Sequence, residues 1–163
     1  MYDLRAIANF FINRGMRDSV DISQMKLQKL LYFAYGLFLV RNGGIKNPLF
    51  NERFEAWPYG PVIPELYHMV KGYGSQPIGR CLGDVMLDIE SNSWKLYIPV
   101  IDKSEKDAFT YLEEFWRVYR DYTAIELSNA THLDGTPWKI TLDRREKVIS
   151  DKEMYDYFKN WVN

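Results

Sequence analysis

A chain of 163 residues with 47% hydrophobic, 26% charged and 16% aromatic side chains has the composition of a globular protein and excludes a disordered one. Lys and Arg total 21 against 22 for Asp and Glu, a formal net charge of −1, so no global field draws the chain to nucleic acid or an anionic membrane. The single Cys81 excludes an internal disulfide, and no signal-peptide core or long apolar segment is evident. The expectation is one soluble domain over 1–163, cytoplasmic by default, with no interrupting repeat or linker.

Asp3 is a plausible cap for a first amphipathic helix through Leu4, Ile7, Ala8, Phe11 and Ile12, closing at Gly15. Asp21 with Gln24 reads as a capping box ahead of Met25, Leu27, Leu30, Leu31, Phe33, Ala34, Leu37, Phe38 and Val40, and this second helix ends at Asn42. From Leu30 onward it is apolar on nearly every side, which marks a helix enclosed by others.

The stretch from Trp57 to Tyr67 holds Pro58, Pro61, Pro64, Gly60 and three large aromatics. Each proline fixes φ and removes a backbone donor, so neither a helix nor a central strand can run from Pro58 to Pro64, and the segment reads as a rigid irregular connection. If Gly60 adopts positive φ there, Gly60→Val must destabilise. Pro64 suits the first position of a short helix through Leu66, Met69 and Val70, stopped by Gly72 or Gly74.

Val85 to Ile89 and Trp94 to Ile101, around Ser91, Asn92 and Ser93, read as a strand pair, with Phe54 to Trp57 as a candidate third strand. Asp102 with Glu105 is read as the cap of a long helix carrying Ala108, Phe109, Leu112, Phe115, Trp116 and Tyr119. Thr123 with Glu126 opens another, Thr136 caps a brief helix that begins at Pro137, and Ser150 with Glu153 opens the last, bearing Met154, Tyr157, Phe158 and Trp161. The expected fold is α+β and predominantly α-helical: a helical bundle around a buried central helix, with a small antiparallel sheet or hairpin.

Chemistry-bearing constellations are sparse. Glu65 and His68 have the spacing of two metal ligands on one helical turn, but a site needs more ligands than two His and one Cys supply. Cys81 with His132 could serve as nucleophile and base, yet Cys81 lies in no nucleophile turn. Thr131, His132 and Asp134 invite an acid-base reading, against which a histidine just past a helix end ordinarily satisfies terminal carbonyls. No glycine-rich phosphate loop is present, and no cofactor or metal is implied. Lys139, Arg144, Arg145 and Lys147 form the densest basic cluster, interrupted by Asp143 and Glu146, and a solvated face outweighs a nucleic-acid patch.

The order of these motifs resembles the Panacea domain of SocA-like and phage-associated GepA-like antitoxins. Met25 to Ala34, containing Lys26, Leu27, Gln28, Lys29, Leu30, Leu31 and Tyr32, is similar to that family's Lys-Leu-Gln-Lys-Leu-Leu-Tyr helix. Pro48, Leu49, Phe50 and Glu52 sit where its approach to the proline segment lies. Glu55, Ala56, Trp57, Tyr59, Gly60, Pro61, Val62, Pro64 and Tyr67 resemble its Glu-Ala-Trp, x, Tyr-Gly-Pro-Val signature, and Thr131, His132, Pro137 and Trp138 resemble its later Thr-His and Pro-Trp. Pro58 and the insertion-like Leu133 to Thr136 depart from the pattern.

The resemblance implies an antitoxin of a bacterial or phage-derived toxin-antitoxin system, neutralising a nearby-encoded protein toxin by direct binding, with one relative acting as a protease adaptor. No catalytic residue comes with it. Lys26, Leu27, Lys29, Leu30, Tyr32, Trp57, Tyr59, Gly60, Pro61, Val62, Pro64, Tyr67, Thr131, His132, Pro137 and Trp138 are then the family-motif residues, candidates for partner binding or scaffold. Core packing is the weightier role for Trp57 and Trp138, because a motif shared among domains with varied partners more naturally encodes scaffold. The alternatives are a prophage-encoded regulatory or DNA-linked interaction protein and a cysteine-dependent hydrolase. Oligomeric state is left open.

Overall fold

The structure, a computed structural model, describes residues 1–162. It is predominantly helical α+β: α1 (Leu4–Asp18), α2 (Gln24–Arg41), β1 (Glu55–Trp57), β2 (Gly60–Val62), α3 (Pro64–Val70), a 3₁₀ turn (Lys71–Tyr73), β3 (Asp84–Asp88), β4 (Ser93–Tyr97), α4 (Lys106–Tyr119), α5 (Ala124–Thr131), α6 (Pro137–Asp143) and α7 (Asp151–Lys159).

The second helix is the central element. Every residue of α2 from Lys26 to Gly36 is buried, together with Phe38 and Leu39, and the helix meets α1, α3, α4, α5, α7 and β2. Gly36 lets α7 close on it, because a Cβ there would overlap the Phe158 ring. Edge-to-face rings extend the core: Tyr32 contacts Phe33, Phe54 and Phe158, and Phe11 contacts Phe115, a geometry that adds to simple area burial. The Tyr111 hydroxyl donates to the Ala34 carbonyl at 2.6 Å.

Several helix ends follow the expected caps. Asp3 accepts from the Arg5 amide, Thr123 and Glu126 form a reciprocal capping box, Thr136 accepts from Lys139 ahead of Pro137, and Ser150 accepts from Glu153. Three boundaries differ. The first helix runs through Gly15 to a left-handed Ser19. The second starts on Ser23, which accepts from the Lys26 amide at 3.2 Å; Ser23 directly precedes the first helical turn, whereas Asp21 stands two residues before Ser23. The fourth is flanked by Glu105 and begins at Lys106, and Asp102 instead holds the Ser104 amide in the preceding turn.

The proline segment corrects the reading of an irregular connection. β1 and β2 form a tight antiparallel hairpin with Glu55 opposite Val62, Ala56 opposite Pro61 and Trp57 opposite Gly60. Pro61 is accommodated because β2 is an edge strand, while β1 bridges on through Glu55 to Val148 and through Ala56 N to Lys147 O at 2.8 Å. Consequently Glu55–Trp57 is not a third strand of the β3–β4 sheet; the two hairpins are separate sheets.

Candidate functional site

Most of the motif residues converge on the β1–β2 hairpin. Gln28, buried on α2, pairs with Ile63 as a second backbone strand would: its Nε2 donates to Ile63 O at 3.1 Å and its Oε1 accepts from Ile63 N at 2.9 Å. One residue further, Lys29 is 2% exposed and its Nζ donates to Pro61 O at 2.9 Å. Gly60 has φ 108°, and a Cβ on it would lie 2.8 Å from Lys29 Nζ, 3.0 Å from Lys29 Cε and 3.2 Å from Thr131 Oγ1. Glycine is therefore required twice, by the backbone angle and by the packing of lysine against the turn.

Trp138, 5% exposed, closes the other side. Its Nε1 donates to Trp57 O at 2.8 Å, and its ring lies 4.3 Å from that of His132. Trp57, half-buried, donates Nε1 to Glu55 Oε2 at 2.8 Å and meets Tyr67 edge-on, while Glu55 pairs with Lys147 at 3.2 Å. Thr131 donates to Ser128 O and Thr136 to Thr131 O, each at 2.7 Å. The first bond lies within α5, and the second ties its last residue to the N-cap of α6.

The remaining motif residues divide by exposure. Leu27, Leu30, Tyr32, Val62 and Pro137 are buried, Lys26 is buried with its Nζ donating to Arg120 O at 2.6 Å, and Pro64 opens α3. Tyr59 is different: at the hairpin tip it is 84% exposed.

Burial sets the electrostatics here. Desolvation pushes the Lys29 ammonium down to about 8 from 10.5, and burial together with the nearby Lys29 charge holds His132 below its ordinary value, against the raising effect of its bond to the Tyr59 backbone. Burial likewise raises the Tyr32 hydroxyl. A lysine, a histidine and a threonine gather beneath the turn; Lys29 and Thr131 are bonded to backbone carbonyls, while His132 Nε2 is buried with no hydrogen-bond partner among the described residues.

The other constellations lie elsewhere. Cys81 hydrogen-bonds Asn13 Oδ1 on α1 at 3.1 Å, and burial raises its thiol, the reverse of what a thiolate nucleophile needs. His132 packs on Trp138 and is not a partner of Cys81. Among the described residues no group of three His, Cys, Asp or Glu gathers around Glu65 and His68 or anywhere else. In the basic cluster, Lys139 pairs with Asp143, Arg144 with Glu153 at 2.5 Å and Lys147 with Glu55, which neutralises most of it. Among the described residues, no helix is long and apolar enough to cross a membrane.

A second feature escaped the sequence reading. Asn9, fully buried in α1, donates to Leu82 O and Pro99 O at 2.8 Å each and accepts from Leu82 N at 2.6 Å. It thereby clamps both legs of the β3–β4 hairpin at the root. The one signal for it was an amide placed between Ala8 and Phe10 in an otherwise apolar stripe.

This is a predominantly helical α+β protein whose motifs tie a proline hairpin to a central helix. The family model for SocA-like antitoxins with the Panacea domain matches residues 27–139. Antitoxin SocA of Caulobacter vibrioides (strain NA1000 / CB15N) is 35% identical over 138 residues, covering 85% of this chain and 69% of that protein. No solved structure matches the chain. The chain belongs to the SocA-like antitoxins of the Panacea-domain family, and that membership supports an antitoxin role.

Proposed function

We propose that the protein neutralises a cognate protein toxin by binding it directly, without catalysis of its own. The observation that carries this reading is the family match over residues 27–139, which spans both hairpins, nearly all of α2, and α3 to α5. The chemistry agrees: Gln28, Lys29 and Trp138 are engaged in holding backbone, the lone thiol is raised by burial, and the exposed rings of Tyr59 and Trp94 sit on the two hairpins. Rigid aromatic anchors lose little entropy on docking and are enriched at binding hot spots. The reading places the chain in the cytoplasm, as one folded unit, beside a toxin encoded nearby.

The test is co-expression with the product of the neighbouring open reading frame. Growth restored only when this chain is present, with the two proteins co-purifying, is the expected result; a toxic neighbour left fully active would defeat the proposal. Delivery of the bound toxin to a bacterial protease is the finer form of the same reading. Toxin levels that fall only when both this chain and the protease are present would support delivery, and rescue at unchanged toxin levels reduces it to binding alone.

A further inference from the structure

The β3–β4 hairpin has a one-sided character. Its register places Val85 opposite Leu96 and Leu87 opposite Trp94, so these four side chains share one face. They are 64%, 65%, 48% and 70% exposed, respectively. The opposite face carries Asp84, Met86, Asp88, Ser93, Lys95 and Tyr97. A half-apolar hairpin ordinarily lays its apolar face on the core; this one leaves that face open, and the other as well, where Met86 and Tyr97 are also exposed, while Asn9 and an Arg5–Asp84 ion pair fix its root to α1. At that root, Val85 and Leu96 line a cleft of about 430 Å³ whose other wall includes Met69, Tyr73 and Arg80.

Charge decides what this surface accepts. The carboxylates of the two strands are already held, Asp84 by Arg5 and Asp88 by Lys95. Arg80 on the cleft wall and Lys71, on the same 3₁₀ turn as Tyr73, are exposed and make no ion pair among the described residues. A second copy of this chain is a poor occupant, because a two-fold interface would set the same cationic rim on both sides. Four side chains also fall well short of the roughly 800 Å² per partner that a stable interface buries, so the occupant must fill the cleft as well.

We propose that this face and cleft form the docking surface for the toxin, which presents large apolar side chains flanked by at least one carboxylate that reaches Arg80. The inference rests on the antitoxin reading and adds the surface to it. The hairpin anchors apolar contact through Trp94 near its turn, the cleft at its root takes a projecting side chain, and the open strand edges offer backbone groups to an extended segment.

The experiment uses the full chain with the co-expressed product of the neighbouring reading frame. Trp94→Glu combined with Leu96→Glu should abolish co-purification and raise Kd by about 30-fold or more, the scale of a lost aromatic hot spot. Melting should be unchanged, since both side chains are already exposed. Arg80→Glu should weaken binding about tenfold and flatten its salt dependence. Ile125→Glu, an equally exposed position on α5, should leave binding intact. Wild-type affinity in the double variant overturns the surface while leaving the antitoxin reading standing. Equal loss in Ile125→Glu overturns it too, as does wild-type self-association that the double variant abolishes without touching toxin binding. A wild-type chain that neither binds nor neutralises the neighbour overturns the antitoxin reading and this inference with it.

Discussion

Lys29→Met removes the buried charge under the proline hairpin at nearly constant volume. In the native protein desolvation pushes this ammonium down to about 8 from 10.5. Near pH 7 both folded and unfolded chains hold the proton, and the buried charge opposes folding. Above about pH 8 the folded chain releases it while the unfolded chain retains it to 10.5, so the unfolded state binds more protons and stability rises with pH. For a shift of this size the gain between about pH 7 and about pH 9.5 is on the order of 2 kcal/mol. The methionine variant lacks that gain. It also leaves Pro61 O without its donor, a loss of about 1–3 kcal/mol, offset near pH 7 by relief of the buried charge. The buried tyrosines Tyr32, Tyr35, Tyr111 and Tyr119, all raised by desolvation, act with the opposite sign. Their stabilisation is lost as pH climbs through the unfolded value of 10.0, but it is common to both proteins and cancels in the difference. The assay is urea unfolding of wild type and variant at several pH values across that window. Wild type should gain on the variant steadily with pH; parallel curves, or a wild type that loses ground, would refute a charged lysine buried beneath the turn.

Three further perturbations probe the same scaffold. Gly60→Val should lower stability by more than about 2 kcal/mol, because positive φ and collision with Lys29 and Thr131 act together; wild-type melting would remove the strained-turn account. Trp138→Phe keeps a ring but orphans Trp57 O, for an expected loss of about 1–3 kcal/mol by chemical denaturation, and no loss would mean that bond is dispensable. Asn9→Leu should speed amide exchange across Asp84–Tyr97 far more than in α2. Uniform exchange changes would show that Asn9 supports the core at large instead of the hairpin root.

Much of the helical architecture was legible because its signals are local. Thr123 with Glu126, and Thr136 with Pro137, carry their caps in the sequence itself, and the unbroken apolar character from Leu30 to Phe38 announced an enclosed helix. The β1–β2 hairpin was not legible, since three-residue strands are too short for periodicity and the prolines correctly forbade only a central strand. Its mate could not be guessed either: Glu55 bridges to Val148, far along the chain. The motif lysine, glycine and tryptophan were visible as a set, but that Lys29 binds Pro61 O and Trp138 binds Trp57 O depends on tertiary contact. Strand alternation in Val85, Leu87, Trp94 and Leu96 was readable, whereas their exposure was not, because an apolar face does not declare whether its cover is the same chain or another.

The central claim, that this chain acts by gripping a toxin, is tested most directly by titrating the purified protein into the purified neighbour-encoded toxin while following the toxin's activity. The account predicts saturable inhibition at a fixed stoichiometry, tracking formation of a complex that gel filtration resolves. Inhibition that continues at catalytic amounts of this chain, or full toxin activity at saturating excess, would contradict it.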